Sequence, residues 1–371
     1  MKKKLSLFTF FVLLVGSIST PLSAAHHESN EHIQQSTFKY VELNRIGDPA
    51  EVLEVKEGSS LLLKKGEVRV EVLAAPIHPS NLLQIAGNYL TDAVLPSTPG
   101  SEGVGRVIET SPEVKILTKG QLVLLGGMGT WLEEIIVPAV SLIPLPDLGE
   151  PSMAVIEQLS MTSINPLTAL LMLNSYVDLK QGDWVVQSAS NSAVGGYLIQ
   201  LAKQRGIKTV NVVRRDGLAP ELMSKGADVV LIDGPDLAAK IATATNNASV
   251  VLAIDAVGGE TFSRLATSLG EGGTIVSYGL LSGKLPTLNI GLSIGKDLRT
   301  RGFWLTKWYK TAEMAEKQAA FGQIIPLIAN GSLTADIDSR FTIDEIKQAV
   351  TRAGQRGRNG KVLIVPNRSN D

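Results

Sequence analysis

The stretch Trp184–Asp216, WVVQSASNSAVGGYLIQLAKQRGIKTVNVVRRD, constrains the fold more than any other part of the chain. Trp184-Val185-Val186 is short and apolar, as a strand covered on both faces is. A turn of small residues follows, from Ser188 to Ala193. Val194, Leu198, Ile199 and Ala202 then recur at helical spacing as far as Gly206, and Thr209–Val213 is a β-branched run that predicts a second strand. Strand, turn, helix and strand in that order make a βαβ unit, the kind that lays a dinucleotide pyrophosphate on a helix N-terminus.

Turns of this type usually carry G-x-G-x-x-G. Here the residues are Ser190-Asn191-Ser192-Ala193-Val194-Gly195, so Gly195 alone keeps the pattern. Taken alone, the turn fits a buried α/β unit with no ligand as well as it fits a cofactor site. Arg214 and Arg215 favour the cofactor. They begin nineteen residues after Gly195, at the end of the second predicted strand. An acidic residue there would hold an adenosine ribose, whereas arginine accommodates a 2′-phosphate with a planar fork of donors. The expected cofactor is NADPH; the plainer reading is a pair of solvated arginines at a strand end.

With 371 residues the chain exceeds the usual size of one domain, so two are expected. The 35 basic residues nearly cancel the 36 acidic ones, which gives no indication of a nucleic-acid partner. The amino terminus stands apart. Lys2-Lys3-Lys4 precedes the apolar run Leu5–Ile18, and Ser23-Ala24-Ala25 offers a cleavage site. This is the layout of a secretory signal peptide over residues 1–24, and it predicts export to the periplasm or beyond with no stable membrane span after processing. The alternative is an uncleaved amphipathic or apolar anchor. Residues 25–36 form a polar tail, and cleavage after Ala24 would leave Ala25-His26-His27, whose amine and third-position histidine can wrap Cu(II) or Ni(II).

The chain has no cysteine and four histidines, of which His26, His27 and His32 lie in the tail and His78 in the body. Thiolate chemistry is therefore absent, and a His/Cys zinc site in the body is almost excluded. Acyl transfer of the Ser–His kind would rest on one residue.

From Phe38 to about Leu159 the signals are short strands punctuated by Gly and Pro. Val68–Val72 alternates as a half-buried strand does, and Val104–Ile108 and Gln121–Leu125 repeat the theme. A helix over Pro166–Tyr176 leads into the βαβ unit. Beyond it, Leu222–Ala227 ends a helix, Val229–Ile232 is a strand and Asp236–Thr245 is helical. Ser249–Ile254, helix Glu260–Leu269 and strand Thr274–Ser277 follow, with Gly258-Gly259 and Gly272-Gly273 read as turns. Repeated βα units give a parallel sheet with helices on both faces. A helix from Glu313 and a strand over Lys361–Val365 return the chain to the first domain.

These residues together resemble the zinc-free branch of the medium-chain dehydrogenase/reductases, and within it the mitochondrial-type trans-2-enoyl-thioester reductases. The resemblance covers roughly Phe38–Val365. It is carried by Pro79-Ser80-Asn81, Gly87-Asn88-Tyr89, Ser101-Glu102-Gly103, Asn165-Pro166, Ala189–Ser192, Val212–Arg214, Gly273–Gly279 and Arg301–Leu305. It implies an α/β fold with a GroES-like β-rich domain and a Rossmann domain of doubly wound parallel sheet. The expected division is 37–158 for the first part of the catalytic domain, 159–310 for the NADP-binding domain and 311–371 for the completion of the former.

The resemblance also implies site residues. Tyr89 becomes the proton donor. Cofactor contacts fall on Asn165, Asn191, Ser192, Ala193, Val194 and Gly195, on Arg214, Arg215 and Asp216, and on Tyr278, Gly279, Leu280 and Leu281. Phe303, Trp304, Leu305 and Lys361 complete the set. His78 and Ser101 stand where zinc-containing relatives place metal ligands, and no metal is expected. His78, Asn81 and Leu90 depart from the family's asparagine, aspartate and glycine around the substrate mouth. A homodimer is implied by resemblance alone.

The expected activity is NADPH-dependent reduction of the 2,3 double bond of trans-2-enoyl thioesters, carried on CoA or acyl carrier protein. The rival readings are an NADPH:quinone or 2-alkenal reductase of the same superfamily, and an exported non-catalytic binding protein that keeps the fold. The plainer readings are a packing tyrosine for Tyr89 and a surface lysine in an ion pair for Lys361, and Trp304 and Trp308 are read as pocket wall rather than stacking platforms for a ligand.

Overall fold

Side chains of a strand alternate between faces, so a run that is apolar throughout must be covered on both sides. Trp184–Gln187, Lys208–Val213 and Val250–Asp255 are mostly apolar and are buried along nearly their whole length, and in the computed structural model they lie parallel at the centre of a sheet. Val229–Ile232 flanks them on one side, and Leu269–Ser277 and Arg299–Gly302 on the other. Among the described residues this sheet has six strands, all parallel. The chain starts inside it at Trp184–Gln187, winds outward on one side, then crosses back to build the other. Sheets wound in this way open a crevice at the carboxyl ends of the two strands flanking the reversal, here Trp184–Gln187 and Val250–Asp255.

The structure describes residues 37–127 and 129–367. The export signal read over 1–24 and the tail with His26, His27 and His32 lie outside the described residues. No helix among the described residues is long and apolar enough to cross a membrane.

A second, seven-stranded sheet runs in the order Ile337–Phe341, Lys361–Ile364, Glu67–Pro76, Glu102–Thr110, Leu122–Gly126 and Ile143–Pro144, with Glu134–Pro138 pairing on Glu67–Pro76. The late strand Lys361–Ile364 pairs antiparallel with Glu67–Pro76, so the chain's end closes the lobe in which the described residues begin. A hairpin of Thr37–Leu43 and Leu53–Ser59 packs on it. One apolar cluster passes from this lobe, through Val104 and Leu124, into the helices Asn165–Ser175 and Met314–Ala329 and on to Val185 and Ile254 of the parallel sheet.

Three expectations need correction. Val68–Val72 keeps its alternation at Val68, Val70, Val72 and the partly exposed Glu71, but Arg69, expected on the solvent face, is 9% exposed. The guanidinium is held by Glu109 at 2.8 Å, Glu134 at 2.5 Å and the Leu61 carbonyl at 2.6 Å, which satisfies a charge that the alternation placed in water. Gly272-Gly273 is no turn between elements but an irregularity inside Leu269–Ser277, where Gly272 takes φ 68 and the register against Val250–Asp255 shifts. The helix expected to reach Ala227 ends at Ser224, because Gly226 turns out of it at φ 104.

Candidate active site

At the reversal point the strand Trp184–Gln187 runs into a tight turn and then the helix Ala193–Gln204. Ser192 caps that helix, its hydroxyl accepting from the Gly195 amide at 3.1 Å. A Cβ on Gly195 would lie 2.4 Å from the Ser190 carbonyl oxygen, so this position of the turn requires glycine while its neighbours do not. The helix N-terminus thus stands at the crevice with its first two amides, of Ala193 and Val194, left for an anion.

Asp255 braces the other side. It is fully buried, and one of its carboxylate oxygens accepts from the Ser188 hydroxyl at 2.7 Å and the Val257 amide at 3.0 Å, the other from the Gly258 amide at 2.8 Å. Sequence reasoning passed over this residue. Its signal was a carboxylate closing an apolar strand three residues before Gly258, where backbone donors are free to satisfy it. The segment from Tyr278 to Leu281 lies against the same turn: Tyr278 donates its amide to the Asp255 carbonyl at 3.0 Å, and Leu281 to that of Ala256 at 3.0 Å. Gly279 allows the approach, since a Cβ there would stand 2.9 Å from the Ala256 oxygen. Burial pushes the Tyr278 phenol well above its usual range, opposed by a hydrogen bond with Ser192. Ser192 and Tyr278 therefore meet, while Leu280 and Leu281 remain exposed.

Beyond the second strand, Arg214, Arg215 and Asp216 are all exposed. A cavity at this strand end is lined by Val213, Arg215, Asp216, Leu218, Ile232 and Lys240 among others. Arg214, on which the phosphate reading centred, is not part of that lining; Arg215 is, with Lys240 adding a second cation.

Asn165 opens the helix Asn165–Ser175 and is buried. Its side-chain Nδ2 has no hydrogen-bond partner, and neither has the buried Ser277 hydroxyl at the end of its strand. An unsatisfied buried amide is costly enough that it calls for a ligand group. Together with the glycine-dependent turn, it makes these residues a fit for a dinucleotide.

Tyr89 follows the helix Pro79–Ile85 of the β-rich lobe. It is half-buried, and its hydroxyl accepts from the Trp304 indole N–H at 3.3 Å, a contact spanning 215 residues. Phe303 donates its amide to the Ser277 carbonyl at 2.9 Å, which ties the Phe303–Leu305 segment to the end of its neighbouring strand. Trp308 packs edge-on against Tyr309, whose hydroxyl donates to the Ser163 carbonyl at 2.8 Å.

Lys361 is buried, not a surface lysine. Its ammonium donates to the Ile77 carbonyl at 3.0 Å and to His78 Nδ1 at 3.1 Å, and His78 Nε2 meets Glu102 at 2.7 Å. Where Lys361 is charged, Nδ1 accepts from it and the ring proton lies on Nε2, facing Glu102. Burial holds His78 well below its usual range, and Lys361 and Arg358 add to the shift. Burial likewise pushes Glu102 up to about 8, opposed by Lys361, and pulls Lys361 down to about 7, opposed by Glu102. Ser101 is engaged separately, accepting from Asn81 at 2.6 Å. Among the described residues no group of three or more histidines or carboxylates is placed to hold a metal ion.

Residues 64–147 match the family described as alcohol dehydrogenase GroES-like domain, and residues 193–320 that described as zinc-binding dehydrogenase. The mitochondrial enoyl-[acyl-carrier-protein] reductase of Rattus norvegicus is 35% identical over 311 residues, 82% of each chain. The solved Etr1p/NADP/crotonyl-CoA complex superposes with TM-score 0.80 at 27% identity, covering 89% of this chain and 100% of that one. The mitochondrial 2-enoyl thioester reductase Etr1p/Etr2p heterodimer from Candida tropicalis does so with TM-score 0.80 at 28% identity and the same coverage.

Proposed function

This chain belongs to the mitochondrial enoyl-thioester reductase branch of the medium-chain dehydrogenase/reductases, and from that premise we propose that it reduces the 2,3 double bond of trans-2-enoyl thioesters with NADPH. The observation that carries the reading is the contact of Tyr89 with Trp304, which joins a hydroxyl of the β-rich lobe to the nucleotide side of the crevice.

NADPH, when bound, supplies the hydride for Cβ. The Ala193 and Val194 amides, beside the capped Ser192–Gly195 pair, would hold its pyrophosphate, and the unpaired Asn165 amide would meet one of its polar groups. Arg214, Arg215 and Asp216 would face the 2′-phosphate end, Arg215 from the lining of its cavity, while Tyr278–Leu281 and Phe303–Leu305 would form the walls. Lys361 would contribute by exchanging one of its present bonds, to Ile77 or His78, for the cofactor. As Cβ is reduced, negative charge collects on the thioester oxygen, and the enolate takes its proton at Cα from the Tyr89 hydroxyl. The Trp304 N–H is aimed at the oxygen that carries the charge once that proton has gone. A proton from solvent then restores the phenol.

Tyr89→Phe is expected to slow turnover by roughly 10²–10⁴-fold with little change in NADPH affinity. Full activity in that variant removes Tyr89 from the chemistry. The exposed edge strand Arg299–Gly302 is where two copies would pair into a homodimer, checked by sedimentation velocity. Export rests on the sequence of residues 1–24, and cell fractionation tests it against the mitochondrial naming of the relatives.

A further inference from the structure

The strand Glu67–Pro76 has different company at its two ends. Its carboxyl end leads to Ile77 and His78 beside Glu102, the site described above. At its amino end three loops meet, formed by residues 60–66, 111–121 and 138–142. The Gly66 amide donates to the Ser111 hydroxyl at 2.9 Å, the Ala139 amide to the Gly66 carbonyl at 3.0 Å, and the Ser111 amide to the Glu67 carbonyl at 3.0 Å. Ten strand residues separate this end from the site, about 30 Å of extended chain.

The loops turn apolar side chains outward. Leu61 is 66% exposed, Leu62 83%, Ile116 61% and Val140 84%. A single exposed leucine needs no explanation, but four such residues on loops tied to one another make a patch. Lys64, Lys65, Lys115 and Lys119 are exposed in the same loops, against Glu113 within them and Glu67 and Glu109 at the adjoining strand ends, Glu109 being paired with Arg69. Apolar side chains at loop tips with lysines beside them match a phospholipid interface: the former enter the acyl boundary while the long lysine stems carry their charges out to the phosphates. A second copy of the chain fits less well, because a twofold contact would bring the same four lysines together. An acidic protein would meet the lysines but would leave Leu62 and Val140 without a use.

We propose that this end of the β-rich lobe docks the protein on an anionic phospholipid surface. The test is co-sedimentation of the full chain with vesicles of phosphatidylcholine alone and of phosphatidylcholine mixed equally with phosphatidylglycerol. Leu61→Ser/Leu62→Ser and Lys64→Glu/Lys65→Glu are compared with the unaltered chain. The amino-terminal segment is common to all three, so differences between them report the patch alone. The unaltered chain is expected to partition onto the anionic vesicles and to be released by salt. Each double variant should partition roughly tenfold less, with NADPH affinity and turnover unchanged. Equal partitioning of all three forms overturns the proposal. So does a loss of dimer in the leucine variant without any lipid binding by the unaltered chain, which would make the patch a contact between copies.

Discussion

Gly195 and Arg215 bear on the cofactor in opposite ways, one by having no side chain and the other by where its side chain lies. The Ser190 carbonyl occupies the space a Cβ on Gly195 would need, so Gly195→Ala must push the turn away from the helix start. That displaces the amides proposed to hold the pyrophosphate, and NADPH affinity is expected to fall by roughly tenfold or more. A fluorescence titration checks it, and an unchanged dissociation constant would detach the turn from the cofactor. Arg215 lines the cavity beyond the second strand, where Arg214 does not. Arg215→Ala is therefore expected to reduce the preference for NADPH over NADH by about tenfold, and Arg214→Ala by less. The reverse order would return the phosphate contact to Arg214.

Among the elements, the strand Ile337–Phe341 and the helix Ile346–Gly354 are held together by Asp338 and Arg352. The carboxylate accepts two guanidinium bonds, at 2.7 and 2.6 Å, and the Arg352 hydrogen bonds are the main reason its pKa lies below the usual aspartate value. Because the folded value is depressed, the contribution is complete above the ordinary carboxylate range and disappears as pH falls through the lowered value. Asp338→Asn should therefore lower the melting temperature at pH near 7, by the equivalent of about 1 kcal/mol given the partly exposed arginine, and the gap should close in acid. A gap of constant size from neutral to acid pH would assign the effect to packing instead.

Which elements could be foreseen follows from the same forces. Thr209–Val213 and Val229–Ile232 are legible because β-branched residues leave few alternatives to a strand. Arg299–Gly302 is not: an exposed edge strand reading Arg-Thr-Arg-Gly has no hydrophobic pattern, and its neighbour Leu269–Ser277 supplies the pairing. Tyr89 and the Ser190–Gly195 turn are legible through their motifs, and the structure adds the Tyr89–Trp304 contact. The burial of Lys361 and the bracing by Asp255 are not, since both depend on partners distant in sequence, Ile77 with His78 and Ser188.

At the scale of the molecule, the two sheets share one apolar core, while the polar groups proposed for chemistry come from both lobes. Neither lobe alone contains both Tyr89 and Trp304, so the account stands on the crevice acting as one reductase site. The most direct measurement follows NADPH oxidation at its nicotinamide absorbance with purified residues 37–371, offered a short trans-2-enoyl-CoA and, separately, a benzoquinone. The account predicts oxidation with the enoyl thioester, one saturated thioester formed for each NADPH consumed, and much slower oxidation with the quinone. Oxidation with the quinone and none with the thioester would contradict it.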